Sequence, residues 1–166
     1  MIGGGFFRSL KQGIDQVGRY DDGPLLDPLT TAHILGVVPA VFHPKWGAGA
    51  ELKQLWSGIT GLTGDFMPLV GPLDAKLTGR DTRGSKRVLS GKGSCGEWIA
   101  AGFSGEGMVW AWLSGAALGI MIAGSEDEEL PETPGRPGGK LLEWFPNELL
   151  VSKERMRSAD VSNLAN

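Results

Sequence analysis

The stretch Ala100–Glu129, AAGFSGEGMVWAWLSGAALGIMIAGSEDEE, decides the fold. Its middle, from Gly107 to Gly124, carries no charge, is rich in Trp, Leu, Ile and Met, and is followed by acidic residues. An apolar run of this kind is either a membrane span or a helix that lies inside a globular protein. The glycines in front of the run bear on that choice.

Three glycines, Gly102, Gly105 and Gly107, separate the short apolar segment EWIAA (97–101) from the apolar run. This order predicts a strand, a glycine turn and a helix from about Gly105 to about Ala123. Glycine lets the backbone approach a flat ligand, and the first N–H groups of a helix favour negative charge. The pattern suits the pyrimidine end of a flavin, where negative charge appears on reduction. The alternative is a plain packing turn between strand and helix.

A second pattern lies upstream, WSGITGLTGDFMPLVGP (56–72). Together the two stretches resemble the C-terminal half of the FAD-dependent D-amino-acid oxidase and sarcosine oxidase superfamily. The matching residues are Trp56, Gly58, Thr63, Asp65, Pro68 and Gly71 in the first pattern, and Ala100, Gly102, Ser104, Gly105 and Gly107 in the second. Their order and approximate spacing agree, and the resemblance covers about Glu51 to Gly124.

The resemblance implies a mixed α/β fold that is the C-terminal part of an FAD-binding fold of this superfamily, as an incomplete domain. It implies oxidation of a C–N bond in an amine or amino acid, with hydride passing to flavin N5. Asp65 would organise its own turn, and we expect Glu106 to point away from the flavin. The residues expected to contact FAD are Gly102, Phe103, Ser104, Gly105, Glu106, Gly107, Met108, Asp65 and Phe66.

The chain divides by composition into four segments. These are 1–73, with strands and a helix like those of the superfamily's substrate domain; 74–95, a flexible basic loop; 96–124, the FAD-domain strand and flavin-facing helix; and 125–166, a C-terminal tail with a short helix. In the first segment, Asp27 and Pro28 predict a helix start. The segments MIGGGFF (1–7), ELKQLWSGITGLT (51–63) and FMPLVGPL (66–73) are expected to be strands.

The sequence departs from the superfamily pattern at the sites that bind the rest of FAD and the substrate. Gly3 and Gly5 fit two positions of a dinucleotide fingerprint, but Arg8 occupies the third. Thr60 stands where the D-amino-acid oxidase branch has a substrate-binding arginine. We therefore expect the chain alone to be inactive and to require a missing N-terminal FAD-binding half, or to self-associate. The alternative is a non-enzymatic remnant or a complementing subunit.

Other features of the sequence do not indicate a phosphate, metal or nucleic-acid site. SGKGS (90–94) lacks the glycine and hydroxyl positions of a phosphate loop. His33 and His43 have no ligand partners at metal-binding spacing. The basic residues of 74–95 are expected to form a solvated loop rather than a nucleic-acid surface, because the net charge is −3. Cys95 is the only cysteine, and we expect a free thiol in a cytoplasmic protein.

A membrane span is the less favoured interpretation of the apolar run. From Gly107 to Gly124 it has 18 residues, whereas about 20 are typical of a transmembrane helix. Its two tryptophans lie near one end, and the acidic residues that follow provide no positive-inside signal. The flavin interpretation explains both the run and the glycines before it, so we expect no membrane association. A single-pass membrane protein remains the alternative.

Overall fold

The computed structural model describes residues 2–5, 8–9, 11–20, 27–42, 51–73, 75–80 and 96–165. The chain forms two compact units, Met1–Ile59 and Thr60–Asn166. The described residues contain five α-helices and one two-stranded antiparallel sheet, so the fold is mixed α/β. The boundary between the units lies before the "TGDFMP" turn (63–68), whereas the composition of the sequence sets it after residue 73.

The first unit contains one long helix, α1 (Pro28–Phe42). Its start is as predicted, because a carboxylate oxygen of Asp27 accepts a hydrogen bond of 2.6 Å from the backbone N–H of Thr30. The Thr30 hydroxyl also donates to the carbonyl of Gly5 at 3.2 Å, which ties the helix to the N-terminal segment.

The two strands predicted in this region are not confirmed. Residues 2–5 have no regular structure, and residues 1, 6 and 7 lie outside the described residues. The prediction of a strand within 51–63 is wrong, because this segment has no regular secondary structure. Gly58, Gly61 and Gly64 recur at every third position, and glycine in a strand interior removes side-chain packing and raises the entropic cost of ordering.

The second unit is built around the strands β1 (Leu69–Leu73) and β2 (Glu97–Ala101), which confirms both predicted strands. They pair antiparallel with Leu69 opposite Ala101 and Leu73 opposite Glu97. Between them lie the short helix α2 (Ala75–Thr78) and residues 81–95, which are outside the described residues. Of the predicted basic loop 74–95, residues 75–78 form α2, while residues 74 and 81–95 lie outside the described residues, as does His43.

Helix α3 (Gly107–Ala123) follows β2 and confirms the predicted helix. It ends at Gly124, whose left-handed φ of 70° and N–H bonds to the carbonyls of Ile120 and Met121 form a glycine C-cap. Its inner face packs on both strands through Ala117, Ile120 and Met121. Among the described residues, none of the helices is both long enough and apolar enough to cross a bilayer.

The C-terminal segment completes the core instead of forming a tail. Helix α4 (Leu141–Trp144), the 3-10 turn Asn147–Leu149 and helix α5 (Lys153–Ser158) succeed one another after a hydrogen-bonded loop. Val151 donates its N–H to the carbonyl of Val70 at 3.0 Å, so the segment lies beside β1. The buried apolar side chains of the unit are Val70, Ala117, Ile120, Met121, Leu141, Phe145 and Leu149.

Candidate functional site

The turn between β2 and α3 has a backbone that glycine favours at two positions. Gly102 and Gly105 have φ angles of 73° and 89°, in the region that side chains rarely adopt. Between them, Ser104 takes the same left-handed region at φ 52°. A left-handed residue other than glycine costs about 1 kcal/mol or more and needs a surrounding structure that holds it.

Thr63 of the upstream pattern supplies that surrounding structure. Its backbone N–H donates to the Ser104 hydroxyl at 3.3 Å, and the two hydroxyl oxygens are also 3.3 Å apart. The backbone N–H of Ser104 donates in turn to the carbonyl of Gly61 at 3.0 Å. The structure thus joins the two stretches that carry the resemblance, although about forty residues separate them in the sequence.

Glycine is required in this region for different structural reasons at different positions. At Gly102 a Cβ would come 2.7 Å from the methyl carbon of Thr63, and at Gly64 it would overlap the backbone carbonyl of Asp160. At Gly105 and Gly107 a Cβ would meet no atom within 4 Å. Gly105 still has its left-handed φ as a cause, but Gly107 has neither crowding nor a positive φ.

Helix α3 begins without a side-chain cap. Its N-cap residue, Glu106, is exposed and makes no capping hydrogen bond. The carbonyl of Glu106 accepts from Val109 and Trp110, but the N–H groups of Gly107 and Met108 have no partner in the described part of the chain. These free donors and the helix dipole create a positive potential beside the open space at Gly107.

Asp65 and Phe66 occupy the turn that precedes β1. One carboxylate oxygen of Asp65 accepts from the N–H of Met67 at 3.2 Å, and the other pairs with the guanidinium of Arg155. Both oxygens are therefore engaged within the protein. Phe66 has a left-handed φ of 60° and a side chain that is 45% exposed.

The expected site residues fall into two groups on this geometry. In the first group, the side chains of Asp65 and Ser104 are hydrogen-bonded within the chain, and Thr63 occupies the space beside Gly102. The remaining expected residues offer free backbone donors or side chains that are at least partly exposed to solvent. They are Phe66, Phe103, Gly105, Glu106, Gly107 and Met108.

Arg155 is the residue that the sequence pattern did not indicate. It lies on α5, is only 7% exposed and donates to four acceptors, three of which belong to residues 65–68. Three other residues of this short helix, Lys153, Glu154 and Arg157, are charged and exposed, which is typical of a solvated helix. Its partner Asp65 is 90 residues away, and nothing in the spacing connects them.

The outer face of α3 is apolar and exposed. Met108 is fully exposed, and the side chains of Val109 and Trp112 are 71% and 69% exposed. Gly115 and Gly119 lie on the same face, and a Cβ at either position would meet no atom within 4 Å. The helix is therefore covered on one side only in the described part of the chain.

Comparisons of the chain with protein-family models, with curated proteins and with solved structures found no match. Among the described residues, no group of three or more His, Cys, Asp or Glu side chains is placed to hold a metal ion.

Proposed function

We propose that the turn 102–106 and the first residues of α3 face the isoalloxazine ring of FAD. The chain would then be part of an FAD-dependent oxidoreductase that oxidises the C–N bond of an amine or amino acid. The observation that carries the proposal is the contact between Thr63 and Ser104, which brings the two resembling stretches together. It supports a fold of the D-amino-acid oxidase type for this part of the molecule.

The residues of the turn fit the pyrimidine end of a flavin. Gly105 and Gly107 leave open space where side chains would stand, so a flat ring has access to the backbone. The free N–H groups of Gly107 and Met108 are donors for the ring's carbonyl oxygens, and the helix dipole favours the negative charge of the reduced state. When bound, the flavin would supply the hydride acceptor of the reaction.

The residues around the proposed flavin position would then have separate roles. Thr63, Asp65 and Ser104 hold the turn, since their polar groups bond within the protein. The exposed carboxylate of Glu106 stands at the helix start, where the dipole stabilises it. Pointing toward a reduced flavin it would repel the ring's charge, so we place it on the side away from the ring.

The ADP part of FAD requires a phosphate-binding glycine segment. This sequence does not supply one, because Arg8 interrupts its dinucleotide-like glycine pattern. We therefore expect the 166-residue chain to lose added FAD on gel filtration. A stoichiometric flavin absorbance band in the protein peak would contradict this. The proposed substrate is a small amine or amino acid, the proposed compartment is the cytoplasm, and no nucleic acid is involved.

Lumiflavin, which is the ring system without ribityl phosphate or adenosine, tests the site on this chain directly. Titrating it at millimolar concentration into the labelled protein should shift the backbone amide resonances of Gly105, Gly107 and Met108. The variant Gly107→Val should abolish these shifts, because its side chain fills the open space. The variant Gly119→Val is a matched control, since Gly119 is on the same helix and equally uncrowded.

The outcome separates the flavin site from a plain packing turn. Equal shifts in the wild type and in Gly107→Val, or shifts that Gly119→Val abolishes, would place the ring elsewhere and overturn the proposal. Adenosine serves as a second control ligand, because its base is aromatic but lacks the carbonyl oxygens that the free N–H groups of the helix start would recognise. It should leave the three amides unchanged.

A second candidate function, a subunit that complements another polypeptide, is favoured by the exposed outer face of α3. The side chains of Met108, Val109 and Trp112 are exposed there, and a helix with apolar residues on all sides normally has a partner on each side. This candidate is compatible with the flavin site, because a second chain could supply the phosphate-binding segment.

A further inference from the structure

Arg155 connects the C-terminal helix to the turn before β1. Its Nε donates to the carbonyl of Glu148 at 2.7 Å, and one terminal nitrogen pairs with the carboxylate of Asp65. The other terminal nitrogen donates to the carbonyls of Met67 and Pro68, at 2.7 and 3.3 Å. With a side chain only 7% exposed, this is a buried guanidinium whose three nitrogens all donate hydrogen bonds.

The carbonyl of Met67 links Arg155 to the proposed flavin site. It accepts from Arg155 and also from the hydroxyl of Thr63 at 2.9 Å. Thr63 in turn bonds Ser104, whose own N–H is bonded to Gly61. A short chain of hydrogen bonds therefore runs from α5 through one shared acceptor to the turn in front of α3.

The two left-handed residues of the region that are not glycine are held by this chain of bonds. Phe66, at φ 60°, stands between Asp65 and Met67, and Arg155 bonds to both of them. Ser104, at φ 52°, is held by Thr63. Residues other than glycine keep such conformations only where surrounding contacts impose them.

We infer that Arg155 is a positioning residue that holds the turn 102–106 and Phe66 in the geometry that receives the flavin; the inference rests on the function proposed above. A lysine would not replace it. The planar guanidinium reaches Glu148, Asp65 and Met67 at once in fixed directions, whereas an ammonium group is a single point charge on a flexible stem.

Amide hydrogen exchange of the chain without ligand tests the positioning role. In Arg155→Lys we expect the amides of Ser104 and Phe66 to exchange at least tenfold faster, while those of Ile120 and Met121 stay within twofold of the wild type. Arg157→Lys is the matched control, since Arg157 is on the same helix and its exposed side chain has no hydrogen bond among the described residues. It should change none of the four amides.

A merely structural role gives a different result. It predicts that Arg155→Lys accelerates all four amides by the same factor, through global unfolding, and that outcome would overturn the inference. The wild-type chain provides a measurement that does not depend on a variant folding. As urea is raised, the N–H of Ser104 and the Nε–H of Arg155 should become exchangeable in one opening step, with the same opening equilibrium constant. Separate opening steps would also overturn the inference.

Lumiflavin distinguishes this inference from the proposed function. If the wild type binds lumiflavin at Gly107, Arg155→Lys should weaken binding at least threefold while the protein remains folded, and unchanged affinity would refute the positioning role. If lumiflavin does not bind at Gly107 in the wild type, the proposed function fails. Faster amide exchange in Arg155→Lys would then report on a turn that does not bind flavin, and the inference would fail together with the proposed function.

Discussion

Single glycines of the second unit carry distinct physical requirements, although they look alike in the sequence. Gly64 is required by packing, because the backbone of Ser158 and Asp160 lies directly against it and its N–H bonds the carbonyl of Ala159 at 2.8 Å. Gly105 is required by its backbone angle. Gly107, the first residue of α3, has neither cause in the described part of the chain, and the proposed flavin would occupy the open space beside it.

The packing requirement at Gly64 leads to a first prediction. A Cβ there would overlap the carbonyl oxygen of Asp160 and come 2.7 Å from its carbonyl carbon, and backbone atoms cannot rotate away. Gly64→Ala should therefore lower the free energy of unfolding by about 3 kcal/mol or more in urea denaturation. Gly58→Ala is the control, since Gly58 is uncrowded, and it should change stability by less than about 1 kcal/mol. Equal values for the two variants would contradict the described packing.

Asp160 leads to a prediction about pH. The backbone N–H of Ser162 donates to its carboxylate at 2.9 Å and lowers the pKa of Asp160 below the ordinary value of 3.8. Because the folded pKa is below the unfolded one, the stabilisation is present above about pH 4 and is lost as the pH falls through the folded pKa. A carbon-detected NMR titration should show the lowered pKa. In Asp160→Ser, which loses the charged acceptor, stability should fall less steeply between about pH 4 and pH 2, and an equally steep fall would refute this assignment.

At the scale of elements, the sequence predicted β1, β2 and α3, because each has an apolar pattern bounded by glycine or proline. It also predicted the start of α1, because Asp27 and Pro28 act within one turn of the chain. The strand expected in 51–63 failed, since an alternating pattern does not reveal whether a neighbouring strand exists. The sequence did not indicate that the C-terminal segment contributes to the core, for a related reason. Leu141, Phe145 and Leu149 are buried by contacts with residues that are distant in the sequence.

The candidate site was predictable in part by the same criterion. The turn 102–106 is local in sequence, and its glycines indicate it. Its support is not local, because Thr63 bonds Ser104 across 41 residues, and Arg155 bonds Asp65, in the turn before β1, across 90 residues. The resemblance implied that Asp65 organises its own turn near the flavin, and one of its oxygens does bond within that turn. The other oxygen pairs with Arg155, and no pattern in one sequence could indicate that contact.

The contact between α3 and the loop 125–140 leads to a further prediction. The indole N–H of Trp112 on α3 donates to the carbonyl of Gly135 in this loop at 2.6 Å, and within the loop the N–H of Gly139 donates to the carbonyl of Leu130 at 2.9 Å. Trp112→Phe removes the indole donor and should release the loop from α3, at a cost of about 0.5–1.5 kcal/mol. Faster amide exchange at Gly139 would report the release. Trp56→Phe is the control, because Trp56 is exposed and has no such bond to the described residues, and a similar change there would refute the contact.

At the scale of the molecule, the second unit buries one face of α3 and leaves the other uncovered in the described part of the chain. Its buried apolar side chains lie on the side of β1, β2 and the C-terminal helices. The exposed side presents Met108, Trp112 and Ile122 along one line of the helix, with Gly115 and Gly119 between them. A stable monomer rarely leaves a contiguous apolar surface of this kind in water.

The uncovered face predicts how the chain behaves in solution. We expect it to bind the dye ANS and to self-associate at high micromolar concentration, so that light scattering gives a mass above the 17.6 kDa of one chain. The double variant Met108→Gln, Ile122→Lys replaces two apolar side chains of this face by polar ones and should reduce both effects without lowering the melting temperature. Neither side chain is buried, and the helix dipole favours a cation near the C-terminus. Leu142→Lys, at an exposed position on α4, is the control and should reduce neither effect. If the wild type remains a monomer that binds no ANS, the face needs no partner, and the complementing-subunit candidate loses its support.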